Sequence, residues 1–148
     1  MLDFRRILAV SGLTEECRKA IGAGVSLAQR YGGELWVVHL VRKNPFELSG
    51  GDLPVDTIEH DYEPYLVEAN KHLAEVLAAT GAAAMPVRQL VKFGNPVAEI
   101  EKIVGEERID LVVLLTRGEG RLEHYILGRG KDELIRRMPC SVLLVKAD

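Results

Sequence analysis

Residues 117–130 hold four glycines and three arginines, directly after the most apolar run of the chain, Leu111 to Leu115. A segment that can be helical, Lys131 to Met138, follows. Glycines let backbone N–H groups approach an anion closely, and a helix N-terminus adds unsatisfied donors and partial positive charge. The chemistry of such a strand, glycine-rich loop and helix start would be phosphate binding. Arg129 adds a permanent, planar cation suited to phosphate. An internal salt bridge with Glu119, Glu123 or Asp132 is its competing use. Glycines also serve simple turn geometry, so this loop becomes a site only if the rest of the fold builds a crevice beside it.

The other chemistry-bearing side chains are dispersed. His39 sits inside an apolar run, Leu35 to Val41, and is expected to be a packed, hydrogen-bonded imidazole. His60 and His72 lack metal-ligand spacing and are expected to be solvated, as is His124 in the glycine-rich loop. Glu59 and Asp61 form a charged loop segment with nothing to fix their separation for acid–base work. No GxSxG, HExxH or GxxxxGK[ST] pattern occurs. No catalytic residue and no metal ligand is therefore assigned. Cys17 and Cys140 form no CxxC, and two buried thiols are expected, although spacing alone leaves a disulfide open.

The elements that must position the loop are read from hydrophobic patterning. A length of 148 residues predicts one domain with a sizeable core. The net charge of -3 offers no general attraction to nucleic acid or to an anionic membrane. The apolar run after Arg5 and Arg6 is stopped by Ser11 and Gly12, too early for a signal peptide or a membrane span, so the cytoplasm is the expected compartment. Strands are predicted over Arg5 to Ser11, Leu35 to Val41, Val87 to Val91, Asp110 to Leu115 and Ser141 to Lys146. Helices are predicted between them. One starts with Thr14 as N-cap and Glu15 and Glu16 in its first turn, carries Cys17, Ile21, Gly24, Val25 and Ala28 on its buried face, and stops at Gly32. A second carries Tyr62, Leu66, Ala69, Leu73, Val76 and Leu77, with Pro64 in its first turn and Gly81 as its stop. A third starts with Asn95 as N-cap and Pro96 behind it, and Gly105 weakens it near its end. Residues 42–61 show no period and are read as a variable, mobile loop.

This alternation predicts an α/β fold: a single doubly wound, five-stranded parallel sheet with right-handed crossovers and helices on both faces. In such sheets ligands sit beyond the carboxyl ends of the strands where strand order reverses. With the order 3-2-1-4-5, Ser11 and Gly12 would face Thr116 and Gly118 across one crevice.

The order and motifs together resemble the universal stress protein family over essentially the whole chain. The resemblance is carried by Ile7, Leu8 and Thr14 to Glu16, by Glu34 to Val41 with His39, by Gly94, Pro96, Glu99 and Ile100, by Asp110 to Leu114, and by Pro139, Cys140 and Val142 to Val145. It implies a Rossmann-like fold and, in nucleotide-binding members, a motif of glycine, two residues, glycine, nine residues, then glycine followed by serine or threonine. Gly118 and Gly128 match the second and third glycines. The first glycine falls on Leu115, the hydroxyl residue on Arg129, and the aspartate that such members place after the first strand on Gly12. These changes remove a polar anchor for the nucleoside and a short phosphate contact.

The candidate nucleotide-contacting set is Val10, Ser11, Gly12, Leu40, Leu115, Gly118, Gly128, Arg129 and Gly130. No cofactor is required by this pattern, and ATP or AMP are the candidate ligands. The resemblance implies a stress-response module with protein partners, with weak or no ATP binding. The alternative is a nucleotide-binding member with at most slow hydrolysis. A homodimer through Ser141 to Lys146 is expected, because that strand is apolar and lies at the sheet edge, and because family members commonly dimerise through their last strand.

Overall fold

The computed structural model describes residues 3–11, 17–41, 63–80, 85–116 and 130–146. Among them the elements run β1 (Arg6–Ser11), α1 (Arg18–Tyr31), β2 (Glu34–Val41), α2 (Glu63–Thr80), β3 (Val87–Phe93), α3 (Pro96–Glu107), β4 (Leu111–Thr116), α4 (Gly130–Arg137) and β5 (Ser141–Lys146). The five strands form one sheet in the order β3-β2-β1-β4-β5. Every pair is parallel, as the alternation of strand and helix patterns requires. Strand order therefore reverses at the β1–β4 boundary, as expected.

The central strands are apolar over most of their length because both their faces are covered. Ile7, Leu8, Ala9 and Val10 of β1 are fully buried, and Leu111 to Leu114 of β4 nearly so. Side chains alternate between the two faces of the sheet. Ala9 and Leu35 face α1, since a Cβ on Gly24 would lie 3.3 Å from Ala9 Cβ and 3.0 Å from Leu35 Cδ1. The small residues of α1 thus let its backbone lie close to the sheet. α2 packs beside α1, while α3 and α4 pack against one another, on the opposite face by the right-handed crossover rule.

One end of the sheet is locked by a carboxylate. The side chain of Asp110, just before β4, accepts hydrogen bonds from the backbone N–H groups of Arg5 and Arg6 at 3.1 to 3.2 Å. Its own N–H donates to Arg6 O at 2.9 Å. Arg6 Nη1 donates to Glu107 O at 2.9 Å, so the starts of β1 and β4 are tied in register. Beside this clamp, Gly32 ends α1 in the left-handed conformation with φ 63°. Gly33 then passes against the chain leading into β1, where a Cβ would meet Arg5 O at 2.8 Å and Phe4 O at 2.9 Å.

Several boundaries differ from expectation. Thr14, Glu15 and Glu16 lie outside the described residues, and α1 begins at Arg18 with Cys17 in the N-cap position and no side-chain cap bond. Cys17, expected inside the helix, has a fully buried side chain, so the core rather than a cap uses it. β3 runs two residues beyond Val91 because β2 continues to offer ladder partners, as far as Val41 opposite Phe93. The N-terminus of α3 is as expected: Asn95 Oδ1 accepts from Ala98 N at 3.1 Å and Pro96 follows the cap. Loop 42–61 and Gly81 lie outside the described residues.

Candidate functional site

The carboxyl ends of β1, β4 and β2 gather the described members of the candidate set. Val10 and Ser11 end β1, Leu115 lies one residue from the end of β4, and Leu40 lies one residue from the end of β2, which flanks β1 on its other side. Ser11, at 1% exposure, and Thr116, at 7%, are polar groups buried at this end. Both are engaged in interactions within the chain. Val10, Leu40 and Leu115 supply apolar surface. Gly130 is the first residue of α4, so the glycine-rich segment does lead into a helix N-terminus. Gly12, Gly118, Gly128 and Arg129 lie outside the described residues, as does His124.

Leu115 is the informative position. Its side chain is 7% exposed, and its backbone is paired with Val145 of β5. It is a packed sheet residue at the place where the family motif has its first glycine. An isobutyl side chain stands at that position where a glycine would carry none.

A second polar cluster lies on the α1 and α2 side of the sheet. His39 on β2 is fully buried. Its Nε2 lies 3.0 Å from Gln89 Oε1 on β3, and Gln89 Nε2 donates to Asn70 Oδ1 on α2. Because the Gln89 amide nitrogen is the donor to Asn70, its oxygen accepts, and His39 carries its proton on Nε2. His39 Nδ1 is buried with no hydrogen-bond partner. Burial holds the His39 pKa below its usual value; the bond to Gln89 opposes that shift and His72 adds to it. His39 is thus the packed imidazole expected of it.

His72 departs from expectation. It is 5% exposed rather than solvated, with Nε2 at 3.1 Å from Glu68 Oε1 and Nδ1 at 3.4 Å from Arg18 Nε of α1. Arg18 also pairs with Glu75. The signal was present in the spacing: His72 follows Ala69 by three residues and precedes Val76 by four, which places it on the buried stripe of α2. Cys17 and Cys140 are free thiols, the first buried and the second half-buried. Among the described residues no group of three or more His, Cys, Asp or Glu side chains could hold a metal ion. No described helix is long and apolar enough to cross a membrane.

A cavity of about 260 Å³ lies between the starts of β2 and β3, lined by Gly33, Leu35, Met85, Val87 and the polar Glu34 and Arg88. Sequence patterning gave no sign of it. It is at the opposite end of the sheet from the crevice, and the Arg88 guanidinium is already stacked over Trp36 at 5.0 Å.

Comparison with known proteins bears on the fold and the family. A Staphylococcus aureus (strain USA300) protein described as a universal stress protein is 26% identical over 155 residues, covering 100% of this chain and 87% of its own length. The structure of the universal stress protein UspA from Lactobacillus plantarum superposes with a TM-score of 0.71 at 19% identity, covering 98% of this chain and 99% of that one. A universal stress protein solved in complex with cAMP superposes with a TM-score of 0.65 at 16% identity, covering 99% and 100%. The family model described as the universal stress protein family matches residues 3–146. With the five-stranded order β3-β2-β1-β4-β5 and that match over almost its entire length, the chain belongs to the universal stress protein family.

Proposed function

We propose that this chain is a cytoplasmic stress-response module that acts as a homodimer through β5 and binds ATP weakly or not at all. The observation that carries the reading is the sheet edge. Leu143 and Leu144 of β5 are 38% and 40% exposed, while Val142 and Val145 are partly buried against the core. Among the described residues β5 pairs only with β4, and an edge bearing large apolar side chains on both faces is an association hazard unless something covers it. Antiparallel pairing with the same strand of a second copy would satisfy its open N–H and C=O groups and shield both leucines. The buried Leu115, together with Arg129 and Gly12 in the sequence, supports weak ATP binding.

The cAMP complex of a protein of the same fold favours a second reading, an adenine nucleotide such as AMP or ATP in the crevice. Two measurements separate these. Light scattering is expected to give a dimer for the wild type and a monomer for Leu144→Lys. Calorimetric titration with ATP, ADP and AMP, with and without magnesium, is expected to give weak or no heat. A wild type that stays monomeric at high micromolar concentration refutes the interface, and a submicromolar dissociation constant for ATP refutes the assignment of the crevice.

A further inference from the structure

We propose that His39 makes the docking of α2 on the sheet proton-sensitive, so that mild acid releases α2 while the opposite layer of the molecule stays closed. The geometry carries the inference. The neutral imidazole is satisfied on one side only: Nε2–H donates to Gln89, whose amide continues the chain to Asn70 on α2. A second proton must go onto Nδ1, which is buried with no hydrogen-bond partner. A buried cation with an unpaired N–H is among the most costly groups a core can hold.

Among the described residues, the groups on its side of the sheet do not relieve that cost. On this side of the sheet α1 contributes Arg18, already a cation, and α2 contributes Glu68, His72 and Glu75. Glu68 is bonded to His72 and Glu75 to Arg18, so both carboxylates are engaged. β3 contributes the neutral Gln89, and β1 contributes Ser11, directly opposite His39 in the ladder. His72 is held between Arg18 and Glu68, its Nδ1 accepting from Arg18 and its Nε2 at 3.1 Å from Glu68 Oε1.

α2 is the element free to respond. It rests chiefly on α1, and among its described side chains the buried ones are Ala69, His72, Leu73, Val76 and Leu77. Near its start Leu66 and Val67 remain exposed, at 37% and 68%. Sparse apolar contact is the property of segments that open locally before the whole molecule does. The direction follows from linkage. A histidine whose affinity for a proton is lowered by burial binds that proton more readily once opened. Docking is therefore complete above about pH 6.5 and weakens as pH falls below it.

Amide hydrogen exchange read by mass spectrometry at pH 7.5 and 5.5, corrected for intrinsic rates, tests the proposal above the ordinary carboxylate range. Protection of α2 is expected to fall by up to about tenfold, the limit set by one pH unit below the opened-state value, while α3 keeps its protection. His39→Gln is expected to abolish this pH response, and His72→Gln to retain it. Since His39→Gln could lose the fold, histidine C–H resonances of the wild type provide an independent reading. The His39 signal is expected to titrate below pH 6.5 together with the α2 amides. Equal α2 protection at both pH values, equal loss from α2 and α3, or a pH response surviving in folded His39→Gln would each overturn the proposal.

Discussion

Replacing Gly33 with alanine tests the packing at the start of the sheet. The added Cβ would lie 2.8 Å from Arg5 O and 2.9 Å from Phe4 O, where ordinary contact begins at 3.4 Å. The backbone must therefore yield by about 0.6 Å (3.4 minus 2.8). It is not free to do so. Arg5 O accepts the N–H of Glu34 at 2.8 Å, the bond that starts the β1–β2 ladder, and the N–H of Arg5 is held by Asp110. Overpacking of this kind costs about 1–3 kcal/mol, and weakening one ladder bond about 0.5–1.5 kcal/mol. Reduced freedom of the unfolded chain offsets about 0.4–1 kcal/mol. The expected net loss is about 2 kcal/mol, or roughly 4–8 °C in Tm for a chain of this size. Gly105→Ala is the matched control. It adds the same methyl group inside α3 with nothing within 4 Å, so helix propensity alone should stabilise the protein by up to about 1 kcal/mol. Urea denaturation of the two variants beside the wild type measures the difference. A Gly33→Ala protein as stable as Gly105→Ala would refute the assignment of Gly33 to close backbone contact.

Asp110→Ala removes the acceptor shared by the N–H groups of Arg5 and Arg6, and thermal melts are expected to show a loss of about 2–4 kcal/mol. A loss under about 0.5 kcal/mol would show that the clamp is solvated rather than structural. Cys140 is expected to react slowly with iodoacetamide at neutral pH, because burial and the nearby Asp110 carboxylate push its pKa up. Its alkylation rate should rise with pH to higher values than that of free cysteine. A rate at pH 7 equal to that of free cysteine would contradict this environment.

The sheet was legible because its strands have to be apolar on both faces: Ile7 to Val10 and Leu111 to Leu115 could be little else. Asn95 with Pro96 marked a helix start by chemistry that depends on neighbours only, and it lies where expected. His72 shows the limit. Its place on the buried stripe was readable from spacing, but its partners Arg18 and Glu68 are brought to it by the packing of α1 on α2, which no local pattern encodes. The roles of Asp110 and Gly33 depend on residues about a hundred and about thirty positions away in the chain, and were invisible for the same reason. For the crevice, spacing was informative about Leu115, whose burial follows from its place in β4.

The Asp110 clamp also has a consequence for synthesis on the ribosome. Arg6 is separated by 104 residues from the carboxylate that fixes it, and β1 cannot acquire its second neighbour until β4 has been made. At roughly 5–20 residues per second this interval lasts about 5–20 seconds. Throughout it the β4-facing edge of β1, bearing Ile7 to Val10, stays unpaired beside any β1-α1-β2 unit already formed. The nascent chain thus presents a sticky strand, and this interval, rather than the finished protein, is when a holding chaperone would have most to grip.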